Sequence, residues 1–338
     1  MEKQLLMGNE AIALGAMAAG VRFVSGYPGT PSTEILETVA ARNPGSIYVE
    51  WSVNEKVALE AAAGAAYAGA RALVTMKQVG LNVASDPLMS LAYVGVKGGM
   101  VVVVADDPGP ISSQTEQDTR HFAAYAKLPV FDPASPEEAY AMVKDAFELS
   151  EKYGTPVLLR PTTRVCHACA SVEVAPPATL PVEGFVKDSG RWVIFPRLTY
   201  ANHQKIEARN VELGQAFSSY RYNTLTGSGR VGVATGGASY AYTREALSLQ
   251  PAEVRLLRVA TPHPFPEALA LRFLEGLTEV LVVEELDPVI ERALTYVAGK
   301  YHLPAIIRGK LTGDTANAGE NSVESVRADL ARFLGLPA

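Results

Sequence analysis

The chain has 338 residues, of which 48% are apolar and 20% are charged, and its formal net charge is -6 at pH 7. This length predicts two or three domains with a sizeable core. The acidic balance and the lack of any lysine and arginine cluster argue against a nucleic-acid surface. No apolar stretch reaches the roughly 18 residues of a membrane span. With two cysteines and no signal peptide at the N-terminus, a cytoplasmic protein is expected.

Strand-like and helix-like segments alternate through the first 174 residues, which we take as one domain. The predicted strands are 22–25, 47–50, 72–75, 100–105, 129–131 and 156–160. The run Val101–Val104 indicates a strand buried on both faces. Such alternation predicts an α/β fold with a parallel, doubly wound sheet, in which ligands bind beyond the carboxyl ends of the strands.

The first of these strand ends is a Gly/Pro turn, Tyr27-Pro28-Gly29-Thr30, followed by a helix that opens near Pro31. Backbone amides at a helix N-terminus can hold a polar ligand. The alternative is that this turn, like most Gly/Pro turns, binds nothing.

The second strand end leads to Glu55 and a helix of small residues that extends to Gly69. Its two glycines cost about 1 kcal/mol each relative to alanine, so we infer that another backbone, a neighbouring subunit or a flat cofactor approaches it closely. The alternative role for Glu55 is a capping box, because Ser52-x-x-Glu55 fits that pattern.

Polar residues also follow the next two strands: Lys77, Gln78 and Asn82, and then Ser112, Gln114, Asp118 and Arg120. The second group could equally be a solvated loop. Cys166-x-x-Cys169 supplies two thiolates, whereas a structural zinc takes four ligands. No metal site is therefore predicted, and two reduced thiols are the expectation.

A proline-rich stretch, 175–181, opens a predicted linker that contains a helix over about 201–220 and runs through 228. From 229 to 338 strands and helices alternate again, which predicts a second α/β domain. Thr235-Gly236-Gly237, at a strand end, could hold an anion.

Several motifs together resemble one family. They are Gly26-Tyr-Pro-x-Thr-Pro-Ser-Thr-Glu-Ile35, Asn54-Glu55 before the small-residue helix, Met76–Met89, Val103–Pro108, Ser112–Arg120 and Pro161–Arg164. In combination they resemble the alpha subunit of indolepyruvate ferredoxin oxidoreductase, a thiamine-diphosphate-dependent 2-oxoacid:ferredoxin oxidoreductase, and the likeness covers the whole chain. It implies a pyrimidine-binding domain followed by a transketolase C-terminal-like domain.

The resemblance implies specific site residues. Glu55 matches the family's catalytic glutamate, which hydrogen-bonds the cofactor's pyrimidine, and Thr30 matches a threonine that helps hold the substrate carboxylate. The remaining expected cofactor contacts are Tyr27, Pro28, Gly29 and Asn82, and the remaining expected substrate contacts are Lys77, Gln78, Ser112, Gln114 and Arg120. Related subunits commonly have histidine where this chain has Gln78, which puts a proton-donor role there in doubt.

The implied reaction is oxidative decarboxylation of an aryl pyruvate to an acyl-CoA, with coenzyme A as co-substrate and electrons passing to ferredoxin. The diphosphate motif that places Mg²⁺ is missing, since Gly313-Asp314-Thr315 does not match it, and so are the iron–sulfur cysteines. We therefore expect a truncated or split subunit whose partner holds Mg²⁺ and the clusters, with a smaller beta/gamma-type subunit, in a dimer of heteromers. The alternatives are a non-catalytic assembly or regulatory subunit and a CoA- or nucleotide-binding α/β protein.

Overall fold

The computed structural model describes residues 2–337. In the N-terminal domain the strands are β1 (Glu2–Met7), β2 (Phe23–Gly26), β3 (Tyr48–Trp51), β4 (Ala72–Lys77), β5 (Met100–Ala105), β6 (Val130–Phe131), β7 (Val157–Leu159) and β8 (Cys169–Val174). The helices are α1 (Gly8–Ala18), α2 (Thr33–Arg42), α3 (Glu55–Tyr67), α4 (Gln78–Val94), α5 (Thr119–Ala126), α6 (Pro136–Tyr153) and α7 (Thr163–His167).

Six of these strands form a parallel sheet in the order β3-β2-β4-β5-β7-β6. Every residue of β5 is buried, as its valine run predicted. Helices α1, α2 and α6 cover one face of the sheet, and α3, α4 and α5 cover the other. The predicted doubly wound arrangement is confirmed.

Two strands of this domain were not predicted. β1 and β8 pair antiparallel in a separate two-stranded ribbon, in which Glu2 lies opposite Val174. Their sequences lack a continuous apolar run, and the pairing joins segments more than 160 residues apart.

The joining segment contains α8 (Ser189–Trp192) and α9 (Pro196–Phe217). Helix α9 packs against α4 and, through Phe217, against Phe131 of β6, with ring centroids 5.8 Å apart. This buried contact brings the long helix into the core of the N-terminal domain.

The C-terminal domain has strands β9 (Thr224–Gly227), β10 (Val231–Gly236), β11 (Arg255–Val259), β12 (Glu279–Val283) and β13 (Ile306–Arg308). Its helices are α10 (Gly237–Leu249), α11 (Glu267–Leu274), α12 (Val289–Lys300) and α13 (Val323–Leu334). The strand order is β13-β12-β10-β11-β9, with only β9 antiparallel to its neighbour. The predicted linker is therefore wrong at its end, because residues 224–227 form an edge strand of this sheet.

Charged side chains are buried where the two domains meet. Arg160 donates from Nε to Asp106 Oδ2 at 2.7 Å and from Nη1 to Asp132 Oδ1 at 3.3 Å. Burial raises the pKa of Asp106 to about 6, although Arg160 opposes this. A Cβ on Gly237, at the start of α10, would lie 2.9 Å from Asp132 Oδ1, so the two domains are in close contact here.

Candidate active site

The candidate site lies at the carboxyl ends of β2, β3, β4 and β5. Because neighbouring parallel strands end at the same edge, the turn 27–30, the start of α3, the start of α4 and residues 107–118 all meet there. We call residues 107–118 the site loop.

Hydrogen bonds connect the site loop to the residues singled out from the sequence. Ser112 Oγ donates to the Thr30 carbonyl at 3.4 Å, and Lys77 Nζ donates to Gln114 Oε1 at 3.1 Å. Asn82 Nδ2 donates to Gln117 Oε1 at 3.0 Å. The structure thus brings together the three polar groups that were predicted separately.

Gln78 is buried and holds the site loop through both ends of its amide. Its Nε2 donates to the Thr115 carbonyl at 2.9 Å, and its Oε1 accepts from Ser113 Oγ at 3.3 Å. A neutral amide engaged in this way serves to position the loop and has no proton to donate as an acid.

The 27–30 turn is fixed by its own hydrogen bonds. Gly29 N donates to Thr33 Oγ1 at 3.0 Å, and Ser32 N and Oγ both donate to the Gly29 carbonyl. Asn9 Nδ2 donates to the Pro31 carbonyl at 2.7 Å from the opposite side. The turn therefore presents Tyr27, which is 41% exposed, on a rigid support.

Glu55 is the first residue of α3, and it does not form the capping box. The helix is capped by Asn54, whose side chain accepts a hydrogen bond from Val57 N at 2.9 Å. Ser52 Oγ instead donates to Glu50 Oε1 at 2.9 Å. The capping alternative is wrong, and Glu55 is left available for another role.

The side chain of Glu55 is 8% exposed and points toward α4. A Cβ on Gly80 would lie 2.6 Å from Glu55 Oε1, so the carboxylate occupies space that any larger residue would take. Among residues 2–337 no protein group donates a hydrogen bond to this carboxylate, and its oxygens are not among the fully buried polar atoms that lack a partner, so they remain open to the site. The closeness of Gly80 to Glu55 had no sequence signal beyond a glycine inside a helical segment.

Asp107 organises the site loop and was not assigned a role from the sequence. Its Oδ2 accepts from the amides of Ser112 and Ser113, each at 2.9 Å, and its Oδ1 accepts from Thr163 Oγ1 at 2.6 Å. Burial acts to raise the pKa of Asp107, but these donors outweigh it and hold the pKa below its usual value. Two adjacent aspartates directly after a buried strand were the available signal.

Arg120 was expected on the substrate side, and the structure places it elsewhere. It is 2% exposed, its Nη1 donates to Glu284 Oε2 at 2.9 Å, and its Nε donates to Asp118 Oδ1 at 2.9 Å. Burial alone would raise the pKa of Asp118, but the Arg120 guanidinium holds it well below its usual value. Arg120 and Asp118 therefore belong to the contact between the domains. They neither face the substrate side nor lie in a solvated loop, which were the two expectations from the sequence.

The remaining motifs do not join the site. Cys166 is buried, which raises the pKa of its thiol, while Cys169 is exposed, and both are free. Among residues 2–337 no group of three or more histidine, cysteine, aspartate or glutamate side chains is arranged to hold a metal. Across the same residues, no helix combines the length and the apolarity that crossing a lipid bilayer requires.

The Thr235-Gly236-Gly237 turn is buried, and it faces the Asp132 carboxylate of the N-terminal domain. An anion bound there would meet a negative side chain. The structure thus gives no support to the anion site that the sequence suggested.

Residues 14–190 match the family model described as "Pyruvate flavodoxin/ferredoxin oxidoreductase, thiamine diP-bdg". That match covers just over half of the chain and contains every residue of the candidate site. The chain belongs to this family. The resemblance stated from the motifs is confirmed.

Among relatives, the indolepyruvate oxidoreductase subunit IorA of Methanothermobacter thermautotrophicus is 44% identical over 99% of this chain and 55% of its own length. The subunit of the same name from Pyrococcus abyssi is 42% identical over 99% of this chain and 53% of its own length. The chain therefore spans about half the length of the curated relatives it matches.

Two solved structures share the fold. The 2-oxoglutarate:ferredoxin oxidoreductase of Magnetococcus marinus, with 2-oxoglutarate, coenzyme A and succinyl-CoA bound, aligns with a TM-score of 0.77 at 19% identity, covering 98% of this chain and 65% of that one. A split-gene transketolase, described as an inactive beta4 tetramer, aligns with a TM-score of 0.61 at 15% identity, covering 98% of both chains. The predicted fold class is confirmed as an α/β fold with a parallel, doubly wound sheet in a domain that matches a thiamine-diphosphate-binding family.

Proposed function

We propose that this chain provides the pyrimidine-side half of a thiamine diphosphate site in a 2-oxoacid:ferredoxin oxidoreductase that acts on an aryl pyruvate such as indolepyruvate. The observation that carries the proposal is the Glu55 carboxylate, which is nearly buried and accepts no hydrogen bond from the described chain. Such a carboxylate has acceptor capacity that the described chain leaves unused. A pyrimidine ring nitrogen that carries a proton would donate a hydrogen bond to it.

Glu55 suits this role in position and in chemistry. It begins α3 at a strand end, and Gly80 leaves the room in which its carboxylate lies. When bound, thiamine diphosphate supplies a carbanion that attacks the 2-oxo group of the substrate. Glu55 would hold the proton exchanged with a pyrimidine ring nitrogen and orient the ring beside the 27–30 turn and Asn82.

The substrate side is formed by Thr30, Lys77, Ser112 and Gln114. The aliphatic part of Lys77 lies against Gly29, where a Cβ would be 3.2 Å from Lys77 Cγ and Cδ. Its ammonium group is held near the turn by Gln114 and can attract the carboxylate of a 2-oxo acid. Gln78 supports this side through the site loop, and Arg120 has no part in it because its donors are engaged at the domain contact.

A partner domain would complete the site. Six large apolar residues are exposed around its rim, namely Tyr27, Trp51, Val53, Val57, Val83 and Ile111. The exposed side of α3 also carries Gly64, where a Cβ would meet nothing within 4 Å, so another backbone can approach closely. We propose that the covering domain carries the Mg²⁺-diphosphate site, and that partner chains carry the iron–sulfur clusters, receive coenzyme A and pass electrons to ferredoxin.

The test uses the complex purified from its source organism, with Glu55→Gln compared with Glu60→Gln on the same helix. Glu60 is exposed, with a side chain at 52% and an ion pair to Lys56 at 4.0 Å, so its substitution controls for charge loss on α3. We expect Glu55→Gln to reduce 2-oxo acid oxidation by about a hundredfold or more and to lower the bound thiamine diphosphate, while Glu60→Gln matches the wild type.

Full activity in Glu55→Gln, or a complex without thiamine diphosphate, would refute the proposal. Either result would favour the non-catalytic assembly or regulatory subunit, because such a subunit has no need of a carboxylate at this position.

A further inference from the structure

The site loop has a second side, which faces the C-terminal domain. There it meets the segment 316–321 between β13 and α13, which we call the docking segment. A Cβ on Gly109 would lie 3.1 Å from Glu320 N and 3.3 Å from Gly319 Cα, so the two backbones are in close contact.

Glu116 bridges the two backbones with one carboxylate oxygen. Its Oε1 accepts a hydrogen bond from Gly109 N within the site loop and another from Gly319 N in the docking segment, each at 2.9 Å. Hydrogen bonds to a charged acceptor are stronger than those between neutral groups. The bridge therefore fixes the loop and the segment against each other.

The docking segment is itself anchored to the C-terminal domain. Lys310, which is 5% exposed, donates from Nζ to the Ala316 carbonyl. At the other end of the segment, Asn321 N donates to Glu285 Oε1 at 3.0 Å. The docking segment is therefore held at both ends, and the Gly319 amide that donates to Glu116 lies on a fixed backbone.

On its opposite side the site loop carries the groups that reach the candidate site. Ser112 contacts the 27–30 turn, Gln114 contacts Lys77, and Gln117 contacts Asn82. We propose that Glu116 is a positioning residue through which the C-terminal domain sets the place of these side chains. The expected effect on substrate binding rests on the function proposed above, whereas the link between the two domains does not.

The first test is amide hydrogen exchange, measured on the full chain as wild type, Glu116→Ala, Glu116→Gln and Glu320→Ala. We expect Glu116→Ala to speed exchange across residues 108–117 and 316–321 by about tenfold or more, while peptides from β5 stay unchanged. Glu116→Gln keeps an oxygen acceptor but loses its charge, so its exchange should lie between those of the wild type and Glu116→Ala. Glu320→Ala is the comparison variant: it removes the ion pair between Glu320 of the docking segment and Arg164 of the N-terminal domain, at 2.6 Å, and keeps the Glu116 bridge, so exchange at Gly109 should stay as in the wild type.

Wild-type exchange at Gly109 and Gly319 in Glu116→Ala would overturn the proposal, as would equally fast exchange in the Gln and Ala variants. In the complex, we expect Glu116→Ala to raise the KM for the 2-oxo acid by about tenfold, with a smaller change in kcat and unchanged thiamine diphosphate content. If exchange changed but the KM did not, the proposed effect on substrate binding would be wrong, and only the link between the two domains would be supported.

Discussion

Replacing Gly80 with alanine tests whether the Glu55 carboxylate lies against α4. The new Cβ would lie 2.6 Å from Oε1, 2.8 Å from Cγ and 2.9 Å from Cδ of Glu55. All three separations are shorter than normal contact, so the end of the Glu55 side chain must rotate away. Rotation would move the group that we expect to meet the cofactor.

The magnitude follows from a comparison with Gly64→Ala on the neighbouring helix. An alanine at position 64 meets nothing within 4 Å, so it should stabilise the chain by about 1 kcal/mol through helix propensity. Gly80→Ala has a similar gain but also an overpacking cost of about 1–3 kcal/mol. We therefore expect the two variants to differ in free energy of unfolding by roughly that overpacking cost.

The assay is urea unfolding followed by the fluorescence of Trp51, in a Trp192→Phe background that leaves one tryptophan. The decisive control is Gly80→Ala combined with Glu55→Ala, because the clash is absent once the carboxylate is removed. If Gly80→Ala stabilises the chain as much as Gly64→Ala does, the position assigned to Glu55 is wrong.

Two further predictions concern the domain contact. Burial raises the pKa of Glu285 to about 7, so the folded chain binds a proton that the unfolded chain releases above its ordinary pKa of about 4.3. Stability should therefore fall by about 3 kcal/mol as pH rises from about 4 to 7. Glu285→Gln should remove that part of the slope in urea titrations at each pH, and an unchanged slope would contradict the assignment. Arg120→Met should destabilise the chain by about 3–5 kcal/mol, because it leaves Asp118 and Glu284 buried without their partner. In the same unfolding assay Lys56→Met, which removes an exposed ion pair with Asp86, should change stability far less, because exposed ion pairs contribute little. If the two variants lost equal stability, the buried pair would not differ from the exposed one.

Most strands of the two sheets could be predicted from the sequence because their signals are local. The valine run of β5 and the helix at 323–334 lie where the patterns predicted them, since each depends on neighbouring residues alone. β1 and β8 were missed because each depends on the other, and β9 was taken for a linker because its Gly-Ser-Gly continuation indicates a turn.

The residues of the candidate site also fall into those with a local sequence signal and those whose position depends on distant partners. Residues directly after the strands were predicted, and the structure gathers them at one edge of the sheet. Arg120 was misplaced because its partner Glu284 lies 164 residues away in the chain. Glu116 had no signal at all, since its role depends on a glycine amide in the other domain.

The buried cluster of Asp118, Arg120 and Glu284 limits how proteins of this kind can be recombined. Two of its members come from the N-terminal domain and one from the C-terminal domain. A chimera that took its C-terminal domain from a protein without an acid at position 284 would leave Nη1 of Arg120 buried without its acceptor, at a cost of about 1–3 kcal/mol. Functional hybrids should therefore be found only among domain pairs whose charges match at this contact, however similar their folds.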